Sequence, residues 1–491
     1  MNKLDKKLLI LLILFLFISF SFTAKASSGL LGGDLTWTCI GQDSFLIKMV
    51  VYRDCNQDAI TPSINIPIKC KATGNLFTTL PILTPASVDI TPTCGASCTR
   101  CQSSACSFPY GIEQYTFTKL LVLDNAGSCC EVNISFTDCC RSKAFTNIQQ
   151  NSPFHIEAWF NRCISPCDNS PSFTNPPIAI ICKEQDFVFC HGVIDIDVGG
   201  TGGLLDSLSY EWVAPKISSS ANVTYNSPFT YDKPMYFWGY PDATLPFPRG
   251  FHLDEYVGQI FFRTDSLAFS SMAEKVIEHR NGKIIGETTR DITIIVIQCP
   301  TNNAPILSEP YYKEVVSGGT VNFSIGTNDY DTKDTLLISL NGAISGAVWT
   351  DNNKQVKHPT GQLSWTPELS DASELPYVFT VKVKDDACPI NGRATRAYQI
   401  LVRAYPKSIA ENPLNNLIVY PNPASNELQI NMDHPTFVNS ISLYNSLGEI
   451  VFEEDGITIP YSMDISQLNK GVYILKIETA NAKLTKQILI K

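Results

Sequence analysis

Apolar side chains in this chain recur at every second position, and beyond the first 26 residues no segment sustains a helical period over four turns. In SFLIKMVVY, Phe45, Ile47, Met49 and Val51 share one face. In YVFTVKVK, Tyr377, Phe379, Val381 and Val383 face one way, and Thr380, Lys382 and Lys384 the other. In GVYILKIET, Tyr473, Leu475 and Ile477 alternate with Ile474, Lys476 and Glu478. Successive strand side chains point to opposite faces, so this period marks half-buried strands. The 30 prolines and 28 glycines keep the runs short, which predicts an all-β chain of tandem sandwiches. One hairpin can be placed in VIEHRNGKIIGE. Asn281-Gly282 tolerates the positive φ angles of a type I′ turn. That turn sets Arg280 opposite Lys283, His279 opposite Ile284 and Glu278 opposite Ile285.

All but one of the 17 cysteines lie between Cys39 and Cys299, and their chemistry depends on the compartment. Lys3, Lys6 and Lys7, the apolar run 8–22 and Ala24-Lys25-Ala26 read as a cleaved export signal over 1–26. Its apolar core is shorter than the ~20 residues a membrane span needs. No other stretch is long and apolar enough, so the mature chain is expected outside the cytoplasm with no transmembrane span. Away from a thiol buffer, such cysteine density reads as disulfides. The candidates are Cys39, Cys55, Cys70, Cys94, Cys98, Cys101, Cys106, Cys129, Cys130, Cys139, Cys140, Cys163, Cys167, Cys182, Cys190 and Cys299, with Cys388 standing apart. A zinc clip at 94–106 is disfavoured, because only Cys98-Thr99-Arg100-Cys101 has the C-x-x-C form. Seventeen is odd, so at least one thiol is free or pairs with another chain.

Composition shifts divide the chain into a Cys-rich β domain (27–170), a second β domain (171–300), a third (301–404), a linker (405–416) and a cysteine-free tail (417–491). The joints are CDNSPSFTNPP at 167–177, CPTNNAP at 299–305 and YPKSIAENPLNN at 405–416. A net charge of −10 without basic runs argues against nucleic acid as a partner. The six histidines are scattered with no H-E-x-x-H, and no G-x-S-x-G elbow appears. GGTGG at 199–203 lacks the Gly-Lys-Ser/Thr that completes a phosphate cradle. No catalytic residue is assigned, and the expectation is a protein that is not an enzyme. The competing expectation is an exported hydrolase of glycans or peptides, its site built from distant residues within 32–300. In YDKPMYFWGYPDATLPFPRGF, Tyr236, Phe237, Trp238 and Tyr240 offer a platform for a sugar or a partner protein.

Three resemblances extend this reading. LIVYPNPASNELQI, ISLYNSLGEIV and DISQLNKGVYILKIETANAKLTKQILIK resemble the type A C-terminal sorting domain of the type IX secretion system. Its motif falls on Pro421, Asn422, Pro423, Gly448, Gly471, Tyr473 and the basic end Lys491. Pro-Asn-Pro is expected to start a strand after a rigid turn, and Gly448 and Gly471 to sit at turns. The resemblance implies export across the outer membrane, with the secretion machinery as partner. GGDLTWTCIG, TDCCRSKAFTNI and GFHLDEYVGQIFF, in order within 32–300, resemble gliding-motility-associated surface proteins. That pattern runs Asp-x-Asp-Gly-Asp-Ser-Leu, whereas here VGGTGGLL separates Asp195-Ile196-Asp197 from Asp206-Ser207-Leu208.

Residues 303–404, through NNAP, NDYDTKDTLLISL, GQLSWTP and YVFTVKVKDDACP, resemble bacterial cadherin-like or Ig-like repeats, in which an Asp-rich turn can hold calcium. Calcium takes several oxygen ligands at ~2.3–2.6 Å. The candidate ligands are Asp329, Asp331, Asp334, Asp385 and Asp386, with a second set at Asp195, Asp197 and Asp206. Calcium is the only cofactor expected. The combined expectation is an all-β chain of tandem Ig-like or cadherin-like sandwiches with a disulfide-rich N-terminal region. It is secreted or held at the outer cell surface, and acts by binding, adhesion or as a structural component, with a glycan or a surface protein as its ligand.

Overall fold

The computed structural model describes residues 28–95, 97–124, 126–195, 206–238, 250–299, 302–404, 414, 416–479 and 482–491. The leader 1–26, Asp197 and Tyr240 lie outside them. The regular elements of the described residues are strands, apart from a single 3-10 turn at Leu369–Asp371, and no helix among them is long and apolar enough to cross a membrane. It forms two units, 1–404 and 405–491.

Phe45, Ile47, Met49 and Val51 are buried on one face as expected, but from Val50 on the opposite face is covered as well, with Val50 and Tyr52 buried in a second cluster. Phe45, Ile47, Met49 and Val51 join Trp37, Phe117 and Phe160 in one core. Each such side chain contributes about 1.5–3 kcal/mol through burial. Leu30–Gly41 pairs with Ser44–Asp54, which pairs with Ile112–Val122. On its other edge Leu30–Gly41 meets Lys283–Ile297, at Gly33 opposite Asp291.

That last strand corrects the expected joint at 167–177. Lys283–Ile297 runs between Leu30–Gly41 and Phe154–Asn161, and also pairs in parallel with Ile178–Cys182. Residues on both sides of 170 therefore share one sheet. The local composition of CDNSPSFTNPP marks a loop, and local composition cannot show that a distant strand returns to the first sheet. The hairpin at Asn281-Gly282 forms with both φ angles positive, at 54° and 70°. Arg280 faces Lys283 and His279 faces Ile284 as expected, but a bulge then sets Glu278 opposite Gly286 instead of Ile285. The bulge leaves Ile285 unmatched, and Glu278 is buried on the same face as Glu274 and Val276.

Residues 302–404 form two four-stranded sheets. Their core holds Phe323, Trp365, Phe379, Val381, Val383 and Tyr398. The other face of Tyr377–Lys384 is not simply solvated: Thr380 is buried and Lys382 half-buried. It is covered by the first region. Gln259 donates to Thr395 O and accepts from Ala397 N at 3.1 and 2.9 Å, and Asn341 Nδ2 donates to Thr174 Oγ1 at 3.0 Å.

Eight disulfides form: Cys39–Cys167, Cys55–Cys101, Cys70–Cys129, Cys94–Cys388, Cys98–Cys106, Cys130–Cys163, Cys139–Cys140 and Cys182–Cys299. Two expectations change. Cys388, set apart by sequence, bonds Cys94, and Cys190 is the free thiol. Cys190 is buried, and burial pushes its thiol up to about 12. The thiolate is the nucleophile, so this thiol is inert while the protein is folded. Iodoacetamide at neutral pH is expected to leave the native protein unmodified and to add one carbamidomethyl group per chain after denaturation without reductant. Intact mass measures both.

The 405–491 unit packs a three-stranded sheet against a four-stranded one around Leu428, Ile441, Leu443, Tyr473, Leu475 and Ile477. Pro-Asn-Pro does not start a strand. It follows Ile418–Tyr420 and clasps the last strand, Lys483–Ile490. Asn422 Nδ2 donates to Gln487 O at 2.8 Å, and Leu489 N donates to Asn422 Oδ1 at 2.9 Å. Proline has no N–H for a ladder, and the asparagine side chain supplies the missing donor and acceptor. Gly448 sits in a turn at φ 84°, and Gly471 opens the strand that carries Tyr473.

Candidate functional site

Asp329 follows the strand Val321–Asn328, and Asp385 follows Tyr377–Lys384 in the facing sheet. The two strand ends meet. One carboxylate oxygen from each of Asp329, Asp334 and Asp385 lies within 4.8 Å of the others. Asp331 and Asp386 border this group and hold its loops. Asp331 Oδ2 accepts from Asn303 N at 2.6 Å, and Asp386 Oδ1 accepts from Thr335 N at 2.9 Å. Asp385 accepts from Asn302 Nδ2, Ala387 N and Gly392 N at 3.0, 3.0 and 2.8 Å. A side chain at position 392 would collide with the Asp385 carboxylate, so glycine is required there.

The electrostatics favour a cation. Asp329 is buried, and no hydrogen-bond donor reaches its Oδ2. Burial, reinforced by Asp385, Asp331 and Asp334, pushes its carboxyl up to about 6. Burial raises Asp334 and Asp385 as well. Hard oxygen donors around one buried orphan oxygen fit calcium. Sequence reasoning missed Asn302 and Asn303 in this arrangement, although both belong to the NNAP stretch that marks the module.

The second acidic set assembles differently from expectation. Asp206 is joined by Asp168 and Glu278, all three buried. Arg280 ion-pairs with both Asp206 and Asp168, so a guanidinium already holds this group together. Asp195 borders it and approaches Glu278. Asp206 is thus half of an ion pair, which leaves it committed to Arg280 instead of to a calcium shared with Asp195 and Asp197, the last outside the described residues.

The aromatic platform is split by strand-like alternation. Tyr236 and Trp238 are 48% and 47% exposed, whereas Phe237 is 8% exposed. Phe237 stacks on Phe251 at 4.4 Å and meets Phe262 at 5.1 Å. Trp238 lies under the Arg263 guanidinium at 5.2 Å.

Two buried ionic groups had no sequence signal. Arg141 pairs with Asp291 inside the first sheet. Arg290 Nε donates to Asp34 at 3.2 Å, and its Nη1 donates to His191 Nδ1 at 2.5 Å. The other ring nitrogen, Nε2, therefore carries the proton and faces Glu274 at 2.7 Å. Arg141, Asp291, Arg290, Asp34, His191 and Glu274 are all buried, and they tie the strands of the first region together. Ser209 Oγ lies 2.9 Å from His279 Nε2, on neighbouring strands of the first unit.

Comparison with known proteins identifies the tail. Residues 418–491 match the family described as secretion system C-terminal sorting domain. No curated protein matches the chain. Among solved structures, the N-terminal Ig1-2 module of Drosophila receptor protein tyrosine phosphatase DLAR is similar at 13% identity, covering 38% of this chain and 99% of that one, with a TM-score of 0.15. Cadherin-like domains 1 to 4 of zebrafish RET are similar at 8% identity, covering 64% and 70%, with a TM-score of 0.17. At those scores the fold class rests on this chain's own strands. The sorting domain at 418–491 makes this chain a protein that is secreted or attached to the outer cell surface.

Proposed function

We propose that the protein is cargo of the type IX route that acts at the outer surface as a binding or structural component without catalysis. The 1–404 unit does this work, and the tail supplies its address. The observation that carries this reading is the joining of the first region and 302–404 by Cys94–Cys388 and by the Gln259 hydrogen bonds. These make a rigid block suited to an oxidising exterior. The order of motifs in 32–300 supports a place among gliding-motility-associated surface proteins. Tyr236 and Trp238 are the proposed contact for a glycan or a surface protein. Exposed rings of this kind present an apolar face with a polar edge at little entropic cost.

A binding array of glycans and surface proteins with residues 27–404 tests the reading. Replacing Tyr236 and Trp238 together by alanine is expected to lower the signal at least tenfold without moving the melting temperature. Hydrolysis of a glycan or peptide panel by the same fragment would replace the proposal with an exported hydrolase.

Calcium at Asp329, Asp334 and Asp385 is proposed as a brace for 302–404. Ligand at ~100 times its Kd stabilises a fold by about 2.7 kcal/mol. The expected result is a rise in melting temperature with calcium, reversed by chelator and absent in Asp385→Asn. Equal melting in all conditions would exclude the brace.

A further inference from the structure

The cavity between Asp186–Cys190 and the strands Tyr377–Lys384 and Arg393–Arg403 has a volume of about 90 Å³ and two chemically distinct sides. One side is apolar, with Ile178, Ile180 and Phe187 on it. The other carries Lys382, Arg393 and Asn391. No acceptor reaches the buried Nε of Arg393. Lys382 makes no ion pair among the described residues. The carboxylate on the wall, Asp186, is already held by Arg263.

We infer that this cavity binds a short organic carboxylate, its charge against Lys382 and Arg393 and its apolar body against Ile178, Ile180 and Phe187. Burial is the main cause that brings the Lys382 ammonium down to about 8, and Arg393 and Lys384 push the same way, with no carboxylate opposing them. Asp385 acts on Arg393 only at a distance, against a larger burial effect. An ammonium can shed its proton when buried, but a guanidinium cannot, so a counter-ion is needed. The apolar wall selects an organic anion over an inorganic one. A cavity of ~150 Å³ holds benzene, and one somewhat smaller suits a chain of roughly two to four carbons.

The test is calorimetric titration of the full mature chain with sodium butyrate, with butyramide as the neutral isostere and sodium chloride as the inorganic anion. Butyrate is expected to bind at one site per chain, at least tenfold more tightly than butyramide or chloride. Lys382→Met and Arg393→Gln should each weaken butyrate at least tenfold. Melting curves identify which variants are folded, and either folded variant suffices for the comparison. Three results overturn the inference: no butyrate binding, equal affinity for butyramide or chloride, or wild-type affinity in both folded variants.

Discussion

Replacing Cys94 and Cys388 together by serine is expected to lower the stability of the 1–404 unit by about 4–5 kcal/mol. The bridge joins residues 294 apart in sequence, the longest separation of the eight. The other bridges shorten the covalent route between its ends, yet a closed loop of ~100 residues still contributes about 4.7 kcal/mol by restricting the unfolded chain. The double replacement avoids leaving one reactive partner. It also removes the covalent tie beside the short bridge between Thr93 and Ile390. What remains between the first region and 302–404 includes the Gln259 and Asn341 hydrogen bonds, two backbone hydrogen bonds beside the lost bridge, Ile390 packed among Ile112, Ile178 and Ile180, and the packing of Asp186–Cys190 on Arg393–Arg403. Each hydrogen bond of this kind contributes only about 1 kcal/mol. Urea unfolding of the 27–404 fragment should therefore change from one transition to two, with 302–404 unfolding first. A single transition at the wild-type midpoint would mean that the noncovalent contacts suffice.

How far the fold was legible in sequence follows from the range of each interaction. Period-two runs are local, so the faces that carry Phe45, Phe379 and Tyr473 are legible in the sequence, and in the structure these faces line the cores. The turn at Asn281-Gly282 is local too, but its bulge at Glu278 depends on what lies beneath the strand. Pairings that join distant segments left no trace. Lys283–Ile297 looks like the end of a second domain, yet it runs through the first sheet. Cys388 looks solitary because its partner lies on another module.

The same division holds at the candidate sites. Asp329, Asp334 and Asp385 were legible because Asp-rich strand ends belong to one module. The meeting of Asp168 and Glu278 with Asp206 is not, since the three lie on segments far apart in sequence. That Lys382 lines a cavity is not legible, since the alternation of a strand gives its two faces and cannot say whether the polar one is covered. Tyr236, Phe237 and Trp238 are expected on one platform, but the structure buries Phe237 against Phe251 and Phe262, packing that no local pattern shows.

Glu278→Gln is expected to stabilise the protein at neutral pH by about 2–3 kcal/mol, the reverse of the usual effect of altering a buried residue. Glu278 is fully buried, no donor reaches either of its oxygens, and Arg280 is committed to Asp206 and Asp168. Burial, reinforced by Asp195, Asp168 and Asp206, raises its carboxyl far above the ordinary range, so it stays protonated in the fold. An unfolded glutamate ionises near pH ~4.3. Below that pH both states hold the proton, and the fold bears no cost. Above it only the unfolded state releases the proton, and stability falls with rising pH by at most ~1.4 kcal/mol per unit. Glutamine keeps the shape, carries no proton to lose and can donate to the neighbouring Asp195. The loss of stability from pH 5 to 8 should therefore be shallower in the variant than in the wild type. Asp329 shifts in the same direction, so the difference between the two proteins is the quantity to read, with calcium held constant. A variant less stable than wild type at pH 7, with an unchanged pH slope, would show that the Glu278 carboxyl is ionised and needed in that form.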